Sequence, residues 1–417
     1  MQWPLEKSVD FNRAVAKTAT MKRMHTGLPG VVTAIFLGAH GMVLTGEGTD
    51  AAGKPAAADG FIDVHMHLSG VYRPAGGQAP QSGPQDGVRR PPPGSGPKGM
   101  KGGPPGQSGP VKDYETAADN LVAMMDRLGV AKAVVMPPPQ SPGQAGGYTC
   151  HDLLGAIRKH PDRLTLAAGG GELSPIITQI EPSAVTPAVR ADFERKALEM
   201  IRDGAKAFGE MAALHFSFSE GHIFKQIPAD HPLFLLLADI AARENVPIDL
   251  HMEVVPVDQL LPQSLARIRS NNPPNIEATI PPFERLLAHN RNARIVWQHI
   301  GWDNTGHMTI DLLRRLLDAH PNLYLALKFV KKAREPWQRG NKFAGEDLRI
   351  LPEWVSLMSD YPDRFMVGAD EFVGIPDKTP TKGPPSFEDT WSIIRQLPPG
   401  LQAKVGRDNA ARVYRLE

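Results

Sequence analysis

Phe61-Ile62-Asp63-Val64-His65-Met66-His67-Leu68 is a short apolar run carrying two histidines one residue apart. Side chains alternate along a strand with period two, so this spacing puts both imidazoles on one face. Two neutral imidazoles side by side make half of a metal site. By the same alternation Asp63 shares the face of His65, as a hydrogen-bond partner either for the ring or for local backbone.

Working outward from that run, helical patterns and short apolar segments alternate from Asp113 onward. Apolar residues at helical spacing over Tyr114 to Leu128 end at Gly129, and the β-branched run Ala131 to Met136 stops at three prolines. The pairing recurs, with strands expected over 164–168, 204–211, 246–252, 293–299, 323–329 and 365–369. Helices are expected at 151–159, 189–202, 232–244, 283–289, 309–320 and 351–359, then at 386–396 and 405–416. Counting residues 61–67, this makes eight strands. Near-continuous apolar strands between helices imply parallel pairing with both sheet faces covered, and eight such strands close a barrel. The expected fold class is α/β, a (β/α)8 TIM barrel, with an open doubly wound sheet as the competitor.

The position of polar residues separates the two, because a barrel brings the C-terminal ends of all its strands to one mouth. Glu210, His251, His299 and Asp370 each close a later apolar run. Gly209, just before Glu210, suits a strand end where backbone must come close. By contrast His151, His160, His289 and His320 fall on outer helices, while His215 and His222 follow the fourth strand and are placed to line a pocket.

The flanks differ in character. Residues 1–55 form an N-terminal extension in which the basic start Met21-Lys22-Arg23, the mostly apolar stretch 28–44 and small residues near Ala51 read as a signal over 21–52. That reading favours export over a cytoplasmic location, with a strand or hairpin at the domain edge as the alternative. Residues 56–417 hold the barrel. Within it, 72–111 is dominated by Pro, Gly, Gln and Ser and is expected as a disordered insertion after the first strand.

Lys plus Arg number 46 against 45 for Asp plus Glu, so no whole-chain field steers the protein onto nucleic acid or an anionic membrane. No stretch reaches the roughly 18 uninterrupted apolar residues of a transmembrane helix. A small-molecule substrate is the expected partner, and self-association into a homo-oligomer is left open. The single cysteine, Cys150, excludes internal disulfides and reads as a small buried thiol, leaving histidines and carboxylates to hold a metal.

As a set, the His65-Met66-His67 pair, the strand-end His251, His299 in Gln298-His299-Ile300-Gly301 and Asp370 in Gly368-Ala369-Asp370 resemble the amidohydrolase superfamily. Within it, the chain is similar to the amidohydrolase-related group of metal-dependent hydrolases and nonoxidative decarboxylases, whose usual ending Val405-Gly406-Arg407-Asp408-Asn409-Ala410-Ala411-Arg412 resembles. The resemblance spans about Gly60 to Leu416 apart from the insertion. It implies a divalent metal held by His65, His67, His251 or His299, and Asp370. Many members place a carbamylated lysine or a glutamate on the fourth strand to bridge two metals, whereas others hold one metal without it. Glu210 is expected as that carboxylate ligand, because Lys206 lies four residues deeper, about 13 Å along a strand, and is expected buried or paired. Nitrogen and oxygen donors without thiolate suit zinc first and manganese second, as one or two ions.

The implied chemistry is attack of metal-activated water on an amide, ester or lactone. Asp370 would take and return the proton, and His299 or His251 would polarise the carbonyl unless it is itself a ligand. Lys328, Lys331, Lys332 and Arg334 make the rim after the seventh strand basic, which favours a carboxylate-bearing substrate, and Trp302 is placed to wall the pocket. A decarboxylase of aromatic acids on the same scaffold is the runner-up. A non-catalytic binding protein on a degenerate barrel is a third reading, which undiminished turnover after Asp370→Asn would revive.

Overall fold

The computed structural model describes residues 60–72, 110–144, 147–268, 270–331, 341–379 and 385–416. The expected extension and signal at 1–55, and nearly all of the insertion, lie outside the described residues. Eight parallel strands follow one another in chain order: β1 (Phe61–Ser69), β2 (Val130–Val135), β3 (Leu164–Gly169), β4 (Ala207–His215), β5 (Ile248–Met252), β6 (Ile295–Ile300), β7 (Leu323–Leu327) and β8 (Phe365–Val367). Strand β8 returns to β1 with Val367 opposite Asp63, so the sheet closes and the open-sheet alternative falls.

Helices α1 (Tyr114–Arg127), α2 (Cys150–Lys159), α3 (Pro187–Arg202), α4 (Pro232–Glu244), α5 (Ile280–His289), α6 (Ile310–Ala319), α7 (Pro352–Asp360) and α8 (Phe387–Ile394) form the outer ring. Helix α6 shows why they form where they do. The Thr309 side chain accepts from Leu312 N–H and starts it, and Leu313, Leu316 and Leu317 bury one stripe against the barrel. Each such leucine contributes about 1.5–3 kcal/mol by leaving water. None of the helices among the described residues is long and apolar enough to cross a membrane.

Inside the barrel, Ile62, Val64, Val134, Ala167, Ala207, Val296 and Met366 pack with Ala410, Val413, Tyr414 and Leu416 of the terminal segment. Asn409 Nδ2 donates to the carbonyls of Pro362 and Phe365, at the start of β8, so the last helix (Asn409–Tyr414) plugs the N-terminal end. At the opposite end the chain leaves β1 through Val71–Tyr72, which pairs antiparallel with Val111–Lys112. The two ends of the insertion are therefore hydrogen-bonded neighbours.

Geometry decides the partner left open for Asp63 in favour of local backbone, and it overturns the expectation for Lys206. Strand β1 shifts register between Asp63 and Met66, which breaks the period-two parity. Asp63 faces away from the His65 ring: it accepts from the Trp391 indole at 3.0 Å and from the backbone N–H groups of His65 and Ala369. Lys206, expected buried or paired, is exposed, because β4 begins one residue after it.

Candidate metal centre

The strand ends bring His65 and His67 (β1), Glu210 (β4), His251 (β5), His299 (β6) and Asp370 (just past β8) into one cluster at the C-terminal mouth, buried except for the partly exposed Asp370. Gly209 permits the approach of β4, since a Cβ there would stand 2.8 Å from the Asp249 Cβ. His299 and Asp370 both adopt left-handed backbone, with φ of 64° and 53°. Non-glycine residues take that conformation at a cost of about 1–3 kcal/mol each, borne at sites where the surroundings demand it.

Proton positions follow from the partners. His65 Nδ1 lies 3.1 Å from both oxygens of Asp249, which also accepts from Gln298 Nε2 at 2.6 Å. Asp249 is thus the acceptor, and the ring proton sits on Nδ1. His67 Nδ1 donates to the Met136 carbonyl at 2.8 Å. In the neutral rings both Nε2 atoms are then bare lone pairs, yet they face each other at 3.1 Å. Two lone pairs at that distance repel unless a proton or a cation lies between them; burial opposes positive charge on His65, but Asp249 and Glu210 outweigh it and raise its pKa, and the same carboxylates attract a metal ion. Donors about 2.0–2.1 Å from a tetrahedral ion stand about 3.3 Å apart, close to what is observed. The carboxylate behind His65 is the arrangement that fixes a ligating imidazole.

Glu210 stands between two halves of the cluster. Its Oε2 is 3.2 Å from His67 Nε2 and 3.6 Å from His65 Nε2. Its Oε1 is 2.8 Å from His251 Nδ1 and 3.4 Å from His299 Nε2. Asp370 Oδ1 completes the first half, 3.2 Å from His67 Nε2. Ligand atoms of His65, His67 and Glu210 lie within 4.8 Å of one another, as do those of Glu210, His251 and His299. Among the described residues the buried His299 Nδ1 has no hydrogen-bond partner, and Asp370 Oδ2 stands 3.5 Å from it. The donor set, all nitrogen and carboxylate oxygen, fits a divalent cation.

Electrostatics follow the burial. Burial opposes the charge on Asp370, but the Lys328 ammonium outweighs it and holds the carboxyl well below its ordinary range. Burial pushes His299 down to about 3, so it is neutral at physiological pH. For His251 burial is opposed by Glu210 and Glu253, which push it up to about 9.

Lys328 departs from its sequence reading as a rim charge. Strand β7 ends at Leu327, and Lys328 turns inward, buried, in an ion pair with Asp370 Oδ2 and 4.1 Å from the centre of the Trp302 ring. Trp302 is half-buried, stacked on Phe218 and edge-on to His299. Lys331 is exposed, and Lys332 and Arg334 lie outside the described residues. His215 packs against His251, with ring centres 4.6 Å apart, and His222 packs on His215. Asp249 escaped the sequence reading; its signal was the spacing Asp249-Leu250-His251, which repeats the parity of the histidine pair.

The sequence model of the amidohydrolase family matches residues 94–416. The chain belongs to the amidohydrolase family. No curated protein matches it. Among solved structures, this amidohydrolase is similar to an uncharacterised TIM-barrel protein from Bordetella bronchiseptica, 14% identical with a TM-score of 0.43 over 71% of this chain and 82% of that one. A probable 2-pyrone-4,6-dicarboxylic acid hydrolase from Acinetobacter baumannii, with citric acid bound, is 10% identical with a TM-score of 0.42 over 85% and 99% of the two chains. A dihydroxybenzoic acid decarboxylase from Polaromonas, with manganese and the inhibitor 2-nitroresorcinol, is 14% identical with a TM-score of 0.37 over 72% and 86%.

Proposed function

We propose that this amidohydrolase is a hydrolase of small amides, esters or lactones that works with two divalent cations, zinc or manganese. The observation that carries the reading is the Glu210 carboxylate, whose two oxygens face two separate histidine pairs. His65, His67, Glu210 and Asp370 would hold one ion, and Glu210, His251 and His299 the other. When bound, such ions supply Lewis acidity toward a carbonyl and make water more acidic.

The chain's own groups do the rest. Asp370 is ionised and moves the proton, with Oδ1 toward the ligand side and Oδ2 held by Lys328; general-base work of this kind is worth about 10²–10⁴-fold. Lys328 fixes that carboxylate and sets a positive charge where an anionic substrate group would arrive. Trp302 and Phe218 wall the mouth and exclude water. Lys331 and Arg334 remain candidates for the outer edge of the substrate.

Metal analysis of the purified protein, with a panel of lactones, esters and aromatic acids, tests the reading. Two equivalents and hydrolysis are expected, with Glu210→Gln reducing the bound metal to one equivalent and the rate by at least about 10²-fold. The buried ammonium of Lys328 is the one observation favouring a decarboxylase. A single equivalent with carbon dioxide release from aromatic acids would establish that second reading and end the first.

A further inference from the structure

A second set of donors meets away from the central cluster. Cys150 and His151 open α2, and Glu172 follows β3. Cys150 is fully buried, its Sγ lies 3.7 Å from His151 Nδ1, and its backbone N–H donates to Glu172 Oε1 at 2.5 Å. One ligand atom from each of the three residues lies within 4.8 Å of the other two.

The protons do not suffice for these donors. His151 Nε2 is 3.1 Å from Asp203 Oδ2, so the proton of the neutral ring sits on Nε2 and Nδ1 is a bare lone pair. The thiol has one proton and two acceptors, His151 Nδ1 and the Glu172 carboxylate. Glu172 and Asp203 add two negative charges, and among the described residues neither has a lysine or arginine in ion-pair contact. A tetrahedral ion about 2.3 Å from sulfur and 2.0–2.1 Å from nitrogen separates those atoms by about 3.6 Å, near the observed spacing. Burial and the Glu172 carboxylate push the thiol pKa up, so without a cation the proton stays on sulfur, and the thiolate forms only as an ion takes the proton's place.

We infer that Cys150, His151 and Glu172 form a separate binding site for a thiophilic divalent cation of the zinc class. Binding displaces the thiol proton to solvent, and Sγ, Nδ1 and a Glu172 oxygen become ligands with no change of oxidation state. The exposed His151 gives the ion its entry path. So placed, the ion clips the start of α2 to the turn after β3 and acts as a brace between two loops of the barrel mouth.

Cobalt titration of the chelator-stripped, full-length protein tests this. The chain has one cysteine, so a thiolate-to-cobalt charge-transfer band in the near ultraviolet can arise nowhere else, and the barrel donors contribute none. The expected result is such a band for one equivalent of cobalt, absent in Cys150→Ser, which still binds the barrel ions. His151→Ala, on the surface, and Glu172→Gln should each weaken the band's midpoint at least about tenfold; His151→Ala carries the test if the buried Cys150→Ser does not fold. No band at saturating cobalt, or a midpoint unmoved in both His151→Ala and Glu172→Gln, overturns the assignment. Neither result depends on whether the protein hydrolyses anything.

Discussion

Replacing Asp249 with asparagine asks whether the proton on His65 is set from behind the ring. The amide has the same size, so the fold is expected to persist. Gln298 Nε2 donates to Asp249 Oδ2 at 2.6 Å and the Tyr414 hydroxyl reaches the same oxygen at 3.4 Å, which keeps the amide oxygen on their side. The new NH2 group then faces His65 Nδ1, where both aspartate oxygens stood at 3.1 Å. It donates to that nitrogen and drives the ring proton to Nε2, the atom 3.1 Å from His67 Nε2. A protonated Nε2 cannot ligate. Loss of such an orienting carboxylate lowers metal affinity roughly 10–100-fold, about 1.4–2.7 kcal/mol, and a forced tautomer belongs at the upper end. Chelator competition on full-length Asp249→Asn measures it, with circular dichroism to verify folding. Gln298→Ala is the control, because it leaves the Asp249–His65 contact in place and should shift affinity by less than about threefold. Folded Asp249→Asn that binds within about twofold of wild type would refute the reasoning, since His65 then neither depends on Asp249 nor ligates through Nε2.

Lys225 is buried, with Thr178 Oγ1 as its one hydrogen-bond partner among the described residues, and burial moves its pKa from 10.5 to about 8. The unfolded chain holds that proton more tightly, so stability rises with pH between about 8 and 10.5, and below this window the folded state bears the full cost. Lys225→Met should therefore stabilise the protein by on the order of 3 kcal/mol at pH 7, with the gain shrinking toward pH 10.5; urea unfolding at both pH values checks it, and a variant no more stable at pH 7 contradicts it. Gly368→Ala would put a Cβ 2.7 Å from Gln298 Oε1 and 3.0 Å from His65 Cβ. It should cost about 1–3 kcal/mol by overpacking and weaken metal binding together with thermal stability, whereas unchanged values for both would show that the strand has room to shift.

The barrel was legible because parallel strands buried on both faces leave unbroken apolar runs, against which a polar residue at a strand end stands out. His65, His67, Glu210, His251, His299 and Asp370 were singled out as candidates that way, and the structure brings all six together. What supports them was harder to see. Asp249 sits inside an apolar run, and its contact with His65 spans 184 positions, a pairing that only closure of the sheet creates. Of the two partners left open for Asp63, local backbone holds, because one register shift reverses the period-two argument that put it beside the His65 ring. Lys328 looked like the first of several charges on a substrate-facing rim, but the strand stops at Leu327, and the next residue turns inward to Asp370. Lys206 failed for the mirror-image reason, at a strand's beginning.

The short ladder joining Val71–Tyr72 to Val111–Lys112 gives the first barrel loop a clasp at its neck. Whatever is threaded between Tyr72 and Val111 enters and leaves through adjacent hydrogen-bonded residues, so the strand and helix on either side need not respond to its length. The entropy of closing such a loop grows only with the logarithm of its residue count, about 0.6 kcal/mol per doubling. That makes the neck a natural splice point, where a tag, a reporter or a second domain can be joined to two residues already held together by the ladder.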